Sequence, residues 1–112
     1  MTEQDFLKLA DATLAAIEDA LDAAGADVET QREGPLLELE FDDGSKVIVN
    51  GQPALGEIWV AARAGGFHFR REQGRWVDTR SGEELYALLS RVVSLQAGAA
   101  VTLSEPPAGP AA

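Results

Sequence analysis

The sequence predicts an α+β two-layer sandwich, in which an antiparallel β-sheet meander carries the N- and C-terminal helices on one face. Apolar residues recur at helical spacing over residues 3–24, apolar and polar residues alternate in the middle of the chain, and a second helical pattern precedes the C-terminus. Two amphipathic helices bury both apolar stripes only if they cover the same face of the sheet. The other face is therefore expected to be open to solvent.

The first helix is amphipathic and carries acidic residues on its polar side. Its apolar stripe consists of Phe6, Leu9, Ala10, Thr13, Leu14, Ile17 and Leu21. At about 100° per residue, Asp11, Glu18 and Asp22 lie within roughly 40° of one another on the opposite side, with Asp19 beside them. Gly25 is expected to end the helix as its C-cap.

The middle of the chain is predicted to form strands joined by short turns. Apolar and acidic residues alternate from 37 to 41, and further strands are expected at 46–50, 57–62, 67–70 and 75–77. Asp43-Gly44 is typical of a tight primed turn with positive φ at both positions, and Gly65-Gly66 is expected to make a later turn. Gly74 is expected to break the chain before the last strand.

A capping box is predicted to open the second helix, with Ser81 as N-cap and Glu84 at N3. The residues expected to point inward from this helix are Leu85, Leu88, Leu89, Val92 and Leu95. Gly98 is expected to close it, and residues 101–103 to add a short edge strand or an extended segment. The domain is predicted over residues 1–103, followed by a disordered Pro-, Ala- and Gly-rich tail at 104–112.

Charge is distributed unevenly along the chain, whose formal net charge is −10. Residues 1–43 contain 13 acidic side chains and only two basic ones, Lys8 and Arg32. Such a surface repels nucleic acids and anionic membranes and attracts cations and basic protein patches, although many domains are acidic for solubility alone.

The absence of cysteine excludes disulfides, zinc–thiolate sites and cysteine catalysis. No secretory or membrane-spanning pattern is present, so a cytoplasmic location is expected.

No catalytic residue is predicted, because no nucleophile stands beside a plausible base. His68, the only histidine, is expected to point to the open sheet face, where cross-strand packing is a commoner role than catalysis. Trp59 is expected on the same face, and both a stacked structural role and a docking role remain open. Trp76 is placed at the sheet edge or in the core, with no function assigned. The helix carboxylates are either a solvated polar face or weak ligands for hard cations.

Several segments, spread over roughly residues 3–103, resemble those of a known protein family. They are Phe6-x-x-Leu9-Ala10-Asp11, Ile17-Glu18, Phe41-Asp42-Asp43-Gly44-Ser45-Lys46-Val47-Ile48-Val49-Asn50, Gln52, Leu55-x-x-Ile58-Trp59-Val60-Ala61, Gly65-Gly66-Phe67-His68-Phe69, Trp76 and Arg80-Ser81-Gly82-Glu83. With these segments the chain resembles the frataxin family, particularly its bacterial CyaY branch. The resemblance implies the same helix–sheet–helix sandwich.

The resemblance also implies a non-enzymatic protein that binds ferrous and ferric iron weakly and reversibly. It implies docking on the cysteine desulfurase and the scaffold protein of iron–sulfur cluster assembly, as an iron donor, as a regulator of the desulfurase, or as both. The chain is then expected to be a monomer that oligomerises, if at all, with excess iron. Two alternatives remain open: an acidic interaction module without a metal role, and ferroxidase-type iron oxidation and storage.

The resemblance assigns site residues to two groups. The metal-binding group, here called the acidic ridge, is Glu3, Asp5, Asp11, Glu18, Asp19, Asp22, Asp27 and Glu29. The partner-binding group is Glu18, Asp19, Asp22, Asn50, Gln52, Trp59 and His68. One departure is the segment at 23–26, which reads Ala-Ala-Gly-Ala where bacterial relatives generally carry further aspartates. This departure weakens the expected iron affinity more than the expected docking, which depends on the summed field.

Overall fold

The computed structural model describes residues 2–106 and shows two helices packed on one face of a six-stranded antiparallel sheet. The helices are α1 (Glu3–Ala23) and α2 (Leu85–Ala97). The strands are β1 (Glu29–Glu33), β2 (Leu36–Glu40), β3 (Lys46–Gln52), β4 (Glu57–Ala62), β5 (Gly65–Glu72) and β6 (Arg75–Asp78). The strands lie in chain order across the sheet, so β1 and β6 are its two edges. The predicted α+β sandwich is confirmed.

A single apolar core lies between the helices and the sheet. The strands contribute alternate residues to it, namely Leu37, Leu39, Val47, Val49, Ile58, Val60, Phe69 and Trp76. The prediction for Leu95 of α2 was wrong, because this side chain is 65% exposed. Gln96 takes the inward position instead, where its amide nitrogen donates hydrogen bonds to Ser45 Oγ at 3.0 Å and to the Lys46 carbonyl at 3.2 Å.

Both ends of α1 are fixed by local hydrogen bonds. At the start, Thr2 Oγ1 accepts from the Asp5 N–H at 3.0 Å and the Asp5 carboxylate accepts from the Thr2 N–H at 3.2 Å, which completes a capping box. These hydrogen bonds lower the pKa of Asp5. At the end, Gly25 follows the C-cap residue Ala24 with a φ of 65°, and its N–H donates to the Asp22 carbonyl. The glycine stop was therefore predicted correctly to within one residue.

The hairpin predicted at Asp43-Gly44 is present, since β2 pairs antiparallel with β3 on either side of it, but its turn type was wrong, and the turn predicted at Gly65-Gly66 was misplaced. In the loop after β2 only Gly44 has positive φ, because the Asp43 carboxylate accepts from both the N–H and the hydroxyl of Ser45 and stabilises a wider loop. The two-residue turn with positive φ at both positions is instead Gln73-Gly74, at 50° and 78°. Gly65-Gly66 belongs to β5, since Gly65 pairs with the last residue of β4, and the turn lies just before it.

The start of α2 also differs from the prediction. Gly82 has a left-handed φ of 78°, which a helix cannot contain, so Ser81 is not the N-cap. The N-cap lies three residues later, at Glu84, whose carboxylate accepts from the N–H groups of Tyr86 and Ala87, and the helix begins at Leu85. Gly98 closes the helix, as predicted, and it does so in the left-handed conformation.

The segment after α2 is extended and does not form a strand within the described residues. It runs back along α2, where the Ser94 and Ser90 hydroxyls accept hydrogen bonds from the N–H groups of Val101 and Leu103, each at 2.8 Å. Of the predicted disordered tail, residues 107–112 lie outside the described residues.

Gly51 of β3 lies directly beneath α1. A Cβ atom at this position would be 3.3 Å from the Cβ atoms of both Ala10 and Pro35. We expect Gly51→Val to lower the free energy of unfolding by about 1–3 kcal/mol, because a larger side chain overpacks this contact. Urea unfolding followed by circular dichroism measures the loss. The control is Gly66→Val on β5, where a Cβ meets nothing within 4 Å. Equal losses for the two variants would contradict the close approach.

Candidate functional site

Strand β1 was missed by the sequence analysis, and it completes the acidic surface. Four of its five residues are exposed and none is apolar, so no hydrophobic alternation marks it. The available signal was Gly34-Pro35, a turn-forming dipeptide that joins β1 to β2 where Glu33 pairs with Leu36. Arg32 pairs with the core residue Leu37, so its side chain lies on the helix side of the sheet, next to α1.

Arg32 connects β1 to two carboxylates of the acidic ridge. One terminal nitrogen of its guanidinium lies 3.4 Å from Glu18 Oε1, and the other contacts Asp11 Oδ1. Asp11 and Glu18 are two helical turns apart, about 10 Å along the axis, and the arginine fork spans them. Burial opposes the charge of Arg32, but the hydrogen bonds and attraction from these two carboxylates outweigh it and raise its pKa. Two predicted metal ligands are thus already ion-paired.

The other ridge residues of α1 do not form one continuous line. Asp19 is exposed on α1, beside Glu18, and its charge acts at a distance on Tyr86. Burial raises the pKa of Tyr86 to about 12, and Asp19 is one of several carboxylates that add to this shift. Glu3 and Asp5 lie in the first turn, and the helical rise places Asp5 about 25 Å from Asp22. The predicted ligands of the first helix are therefore spread over several separate places.

The last two residues of the ridge, Asp27 and Glu29, lie at a small acidic depression with a volume of about 240 Å³. Asp27 and Glu29 line it together with Glu40 and Asp42, two carboxylates that the sequence analysis did not assign to the site. Glu40 is brought there by its pairing with Glu29, which could not be predicted without β1. Over residues 2–106, no group of three or more histidine, aspartate or glutamate side chains has the arrangement of a metal site.

Trp59 lies on the open sheet face, as its strand pattern predicts. Its ring stacks on that of His68 from the neighbouring strand, with 4.2 Å between the ring centroids and 6° between the planes. The indole N–H donates to Glu57 Oε1 at 2.9 Å, and His68 Nδ1 lies 3.9 Å from the same oxygen. Trp59 thus has a stacked arrangement of its own, and its docking role stays a prediction.

Asn50 and Gln52 lie beside this stack. Asn50 pairs with Trp59, and Gln52 pairs with Glu57, across β3 and β4. We call Asn50, Gln52, Trp59 and His68 the sheet patch. It lies on the opposite side of the sheet from the helices that carry the acidic ridge. The predicted partner-binding residues therefore form two surfaces on opposite layers of the sandwich. No helix among the residues that the structure describes is long and apolar enough to cross a membrane.

The chain has close relatives among known proteins. A family model for the frataxin-like domain matches residues 1–99. The iron–sulfur cluster assembly protein CyaY of Ralstonia nicotianae is 62% identical over 107 residues, which covers 92% of this chain and 95% of that protein. The protein of the same name from Cupriavidus necator is 57% identical over 107 residues, covering 92% and 96% of the two chains.

Solved structures show the same likeness. Frataxin from Psychromonas ingrahamii superposes with a TM-score of 0.86 at 36% identity, covering 94% of this chain and all of that one. Trimeric frataxin from Saccharomyces cerevisiae, complexed with ferrous, has a TM-score of 0.64 at 24% identity and covers 88% of each chain, which shows a shared fold. The family match, the identity to the relatives and the superposition agree, and the chain therefore belongs to the frataxin family, in its bacterial CyaY branch.

Proposed function

We propose that this protein binds iron weakly at its acidic ridge, as cargo, and docks on the cysteine desulfurase and scaffold protein of iron–sulfur cluster assembly in the cytoplasm. There it donates iron, regulates the desulfurase, or does both. The observation that carries the proposal is the exposed carboxylate surface of α1 and β1, in a chain whose relatives are named iron–sulfur cluster assembly proteins. The protein acts without a catalytic residue of its own.

Docking is expected to depend on the summed charge of the ridge. Asp22, Asp27 and Glu29 are exposed and have no basic side chain within 4 Å among residues 2–106. Their field attracts a basic surface and raises the rate of encounter, most strongly at low ionic strength. The sheet patch offers a second contact, with Trp59 as an aromatic anchor. Since the two surfaces lie on opposite layers, a complex that uses both must reach around an edge of the sheet or contain two partner proteins.

Iron binding is expected to be weak because the carboxylates are exposed and separate. Carboxylate oxygens suit hard cations, and the depression is lined by Asp27, Glu29, Glu40 and Asp42, although these four side chains do not converge as a metal site. Water is expected to complete the coordination of an ion held there. Such binding falls steeply as ionic strength rises. Weak binding suits a cargo that has to be handed over.

A second candidate function is docking without a metal role. It is favoured by the ion pairs of Arg32 with Asp11 and Glu18, which give two ridge carboxylates a structural partner within the chain. In this case the ridge is an electrostatic docking surface only. In either case we expect the protein to act as a monomer, with oligomers in excess iron at most.

A reconstituted assembly reaction tests the proposal. Purified desulfurase and scaffold are supplied with cysteine and several ferrous iron concentrations under anaerobic conditions, with and without this protein, and cluster formation is followed by absorbance. We expect the rate to change with added protein and the size of the change to depend on iron. A change that is independent of iron favours docking without metal. An unchanged rate at every iron concentration overturns the proposal. Catalysed oxygen consumption on aerobic addition of ferrous iron would instead favour ferroxidase activity.

A further inference from the structure

Arg32 and Lys8 are the only basic residues in the acidic first part of the chain, and their surroundings differ. Lys8 is exposed, and no described carboxylate lies within 4 Å of it. The Arg32 side chain is only 24% exposed, and both of its terminal nitrogens contact ridge carboxylates. Its Nε is buried and has no acceptor. Because a buried N–H without an acceptor is unfavourable, the contacts with Asp11 and Glu18 are what hold the guanidinium in this position.

A metal cation at this part of the ridge would need the same oxygens that Arg32 contacts. Asp11 Oδ1 and Glu18 Oε1 are the contacted atoms, and the guanidinium lies between the two side chains. A cation that approaches them meets a positive charge that does not lose its proton at any physiological pH. Asp22, Asp27 and Glu29 have no such basic partner among the described residues. The acidic ridge thus has a part that is occupied by Arg32, at Asp11 and Glu18, and an open part, at Asp22, Asp27 and Glu29.

We propose that Arg32 is a specificity-determining positioning residue: it acts as an internal counter-ion that withholds Asp11 and Glu18 from metal cations and directs them to the open part of the ridge at Asp22, Asp27 and Glu29. This inference rests on the proposed cation binding of the ridge. It predicts that Asp11 and Glu18 can bind a cation once the Arg32 side chain is removed. Removing the guanidinium therefore moves and strengthens binding instead of abolishing it.

The test uses Mn²⁺, a hard divalent cation whose paramagnetism broadens nearby amide resonances. In the natural chain we expect broadening around residues 22–29, with residues 11–18 affected only at higher metal concentration. In Arg32→Gln we expect broadening to extend to Asp11 and Glu18 and total binding to tighten by about three- to fivefold, the size of one partly exposed ion pair. Arg32→Lys, which keeps the charge but loses the fork, should fall between the two.

Lys8→Gln is the matched control, because it removes the same unit charge from the same surface without breaking an ion pair. It should change Mn²⁺ affinity slightly and leave the pattern of broadening unchanged. The dispersion of the amide spectrum reports whether each variant is folded. If Arg32→Gln and Lys8→Gln behave alike, the inference is wrong while the proposed cation binding stands. If only Arg32→Gln binds Mn²⁺, Arg32 withholds Asp11 and Glu18 as inferred, but it directs no cation to the open part, so that half of the inference and the proposed cation binding are both wrong. If neither variant nor the natural chain binds, both fail.

Discussion

Replacement of Trp76 by alanine is expected to lower the free energy of unfolding by about 3–5 kcal/mol, which is a large part of the stability of a small domain. Trp76 is 3% exposed, on the edge strand β6. Its ring meets that of Phe6 edge-on, at 6.3 Å between centroids, and its N–H donates to Thr13 Oγ1 at 3.1 Å. One side chain thus joins the edge of the sheet to α1 in two ways. Urea unfolding followed by far-ultraviolet circular dichroism measures the loss.

Two further variants separate the causes of this loss. Trp76→Phe keeps an aromatic ring but removes the indole N–H, and it should lose only about 1–2 kcal/mol relative to the natural chain. Trp59→Ala removes the same side chain from the open sheet face, where the indole is only half-buried, and should lose less than Trp76→Ala. Equal losses for the two alanine variants would show that Trp76 does not have the structural role described above.

Reversal of two ridge charges is expected to weaken binding to the desulfurase by about 10- to 100-fold, because like charges are then brought together at the contact. The variant Asp19→Lys with Asp22→Lys suits this test, since both residues are exposed and have no ion pair among residues 2–106. Glu18 is left unchanged because its replacement by lysine would place two cations beside each other at Arg32. Binding is measured by titration at low and moderate ionic strength.

The matched control reverses two charges that are not ridge residues, with Glu72→Lys and Glu105→Lys. Both residues are exposed, and the change in net charge is the same. We expect this control to bind the desulfurase nearly as well as the natural chain and to show a similar dependence on salt. If the two double variants lose affinity equally, net charge alone governs the interaction and the ridge is not the contact surface.

The elements with strong hydrophobic periodicity could be predicted from the sequence. The helix pattern gave α1 nearly to its ends, and alternation around Ile58 and Val60 placed Trp59 on the open face. The start of α2 was misplaced because the Ser81 motif fits a capping box, whereas the left-handed Gly82 and the hydrogen bonds of Asp78 to the N–H groups of Arg80 and Ser81 form a separate turn. That turn depends on backbone geometry that residue types alone do not determine.

The arrangement of the acidic ridge was less predictable, because it depends on tertiary contacts. Helical spacing placed Asp11, Glu18 and Asp22 on one side of α1. It could not show that Arg32 lies against two of them, since the strand that carries Arg32 has no apolar pattern. For the same reason Glu40 was not assigned to the site, although β1 pairs it with Glu29. An edge strand that contributes charge instead of core residues leaves little signal in the sequence.

We propose that the acidic ridge is the surface with which this protein contacts the proteins of iron–sulfur cluster assembly. The most direct test is a titration of the isotope-labelled protein with unlabelled desulfurase, followed through its backbone amide resonances at low ionic strength. We expect the resonances lost first to belong to α1 and β1, around residues 18–33, and added salt to restore them. Loss confined to β6 and α2, or no loss at all, would contradict it.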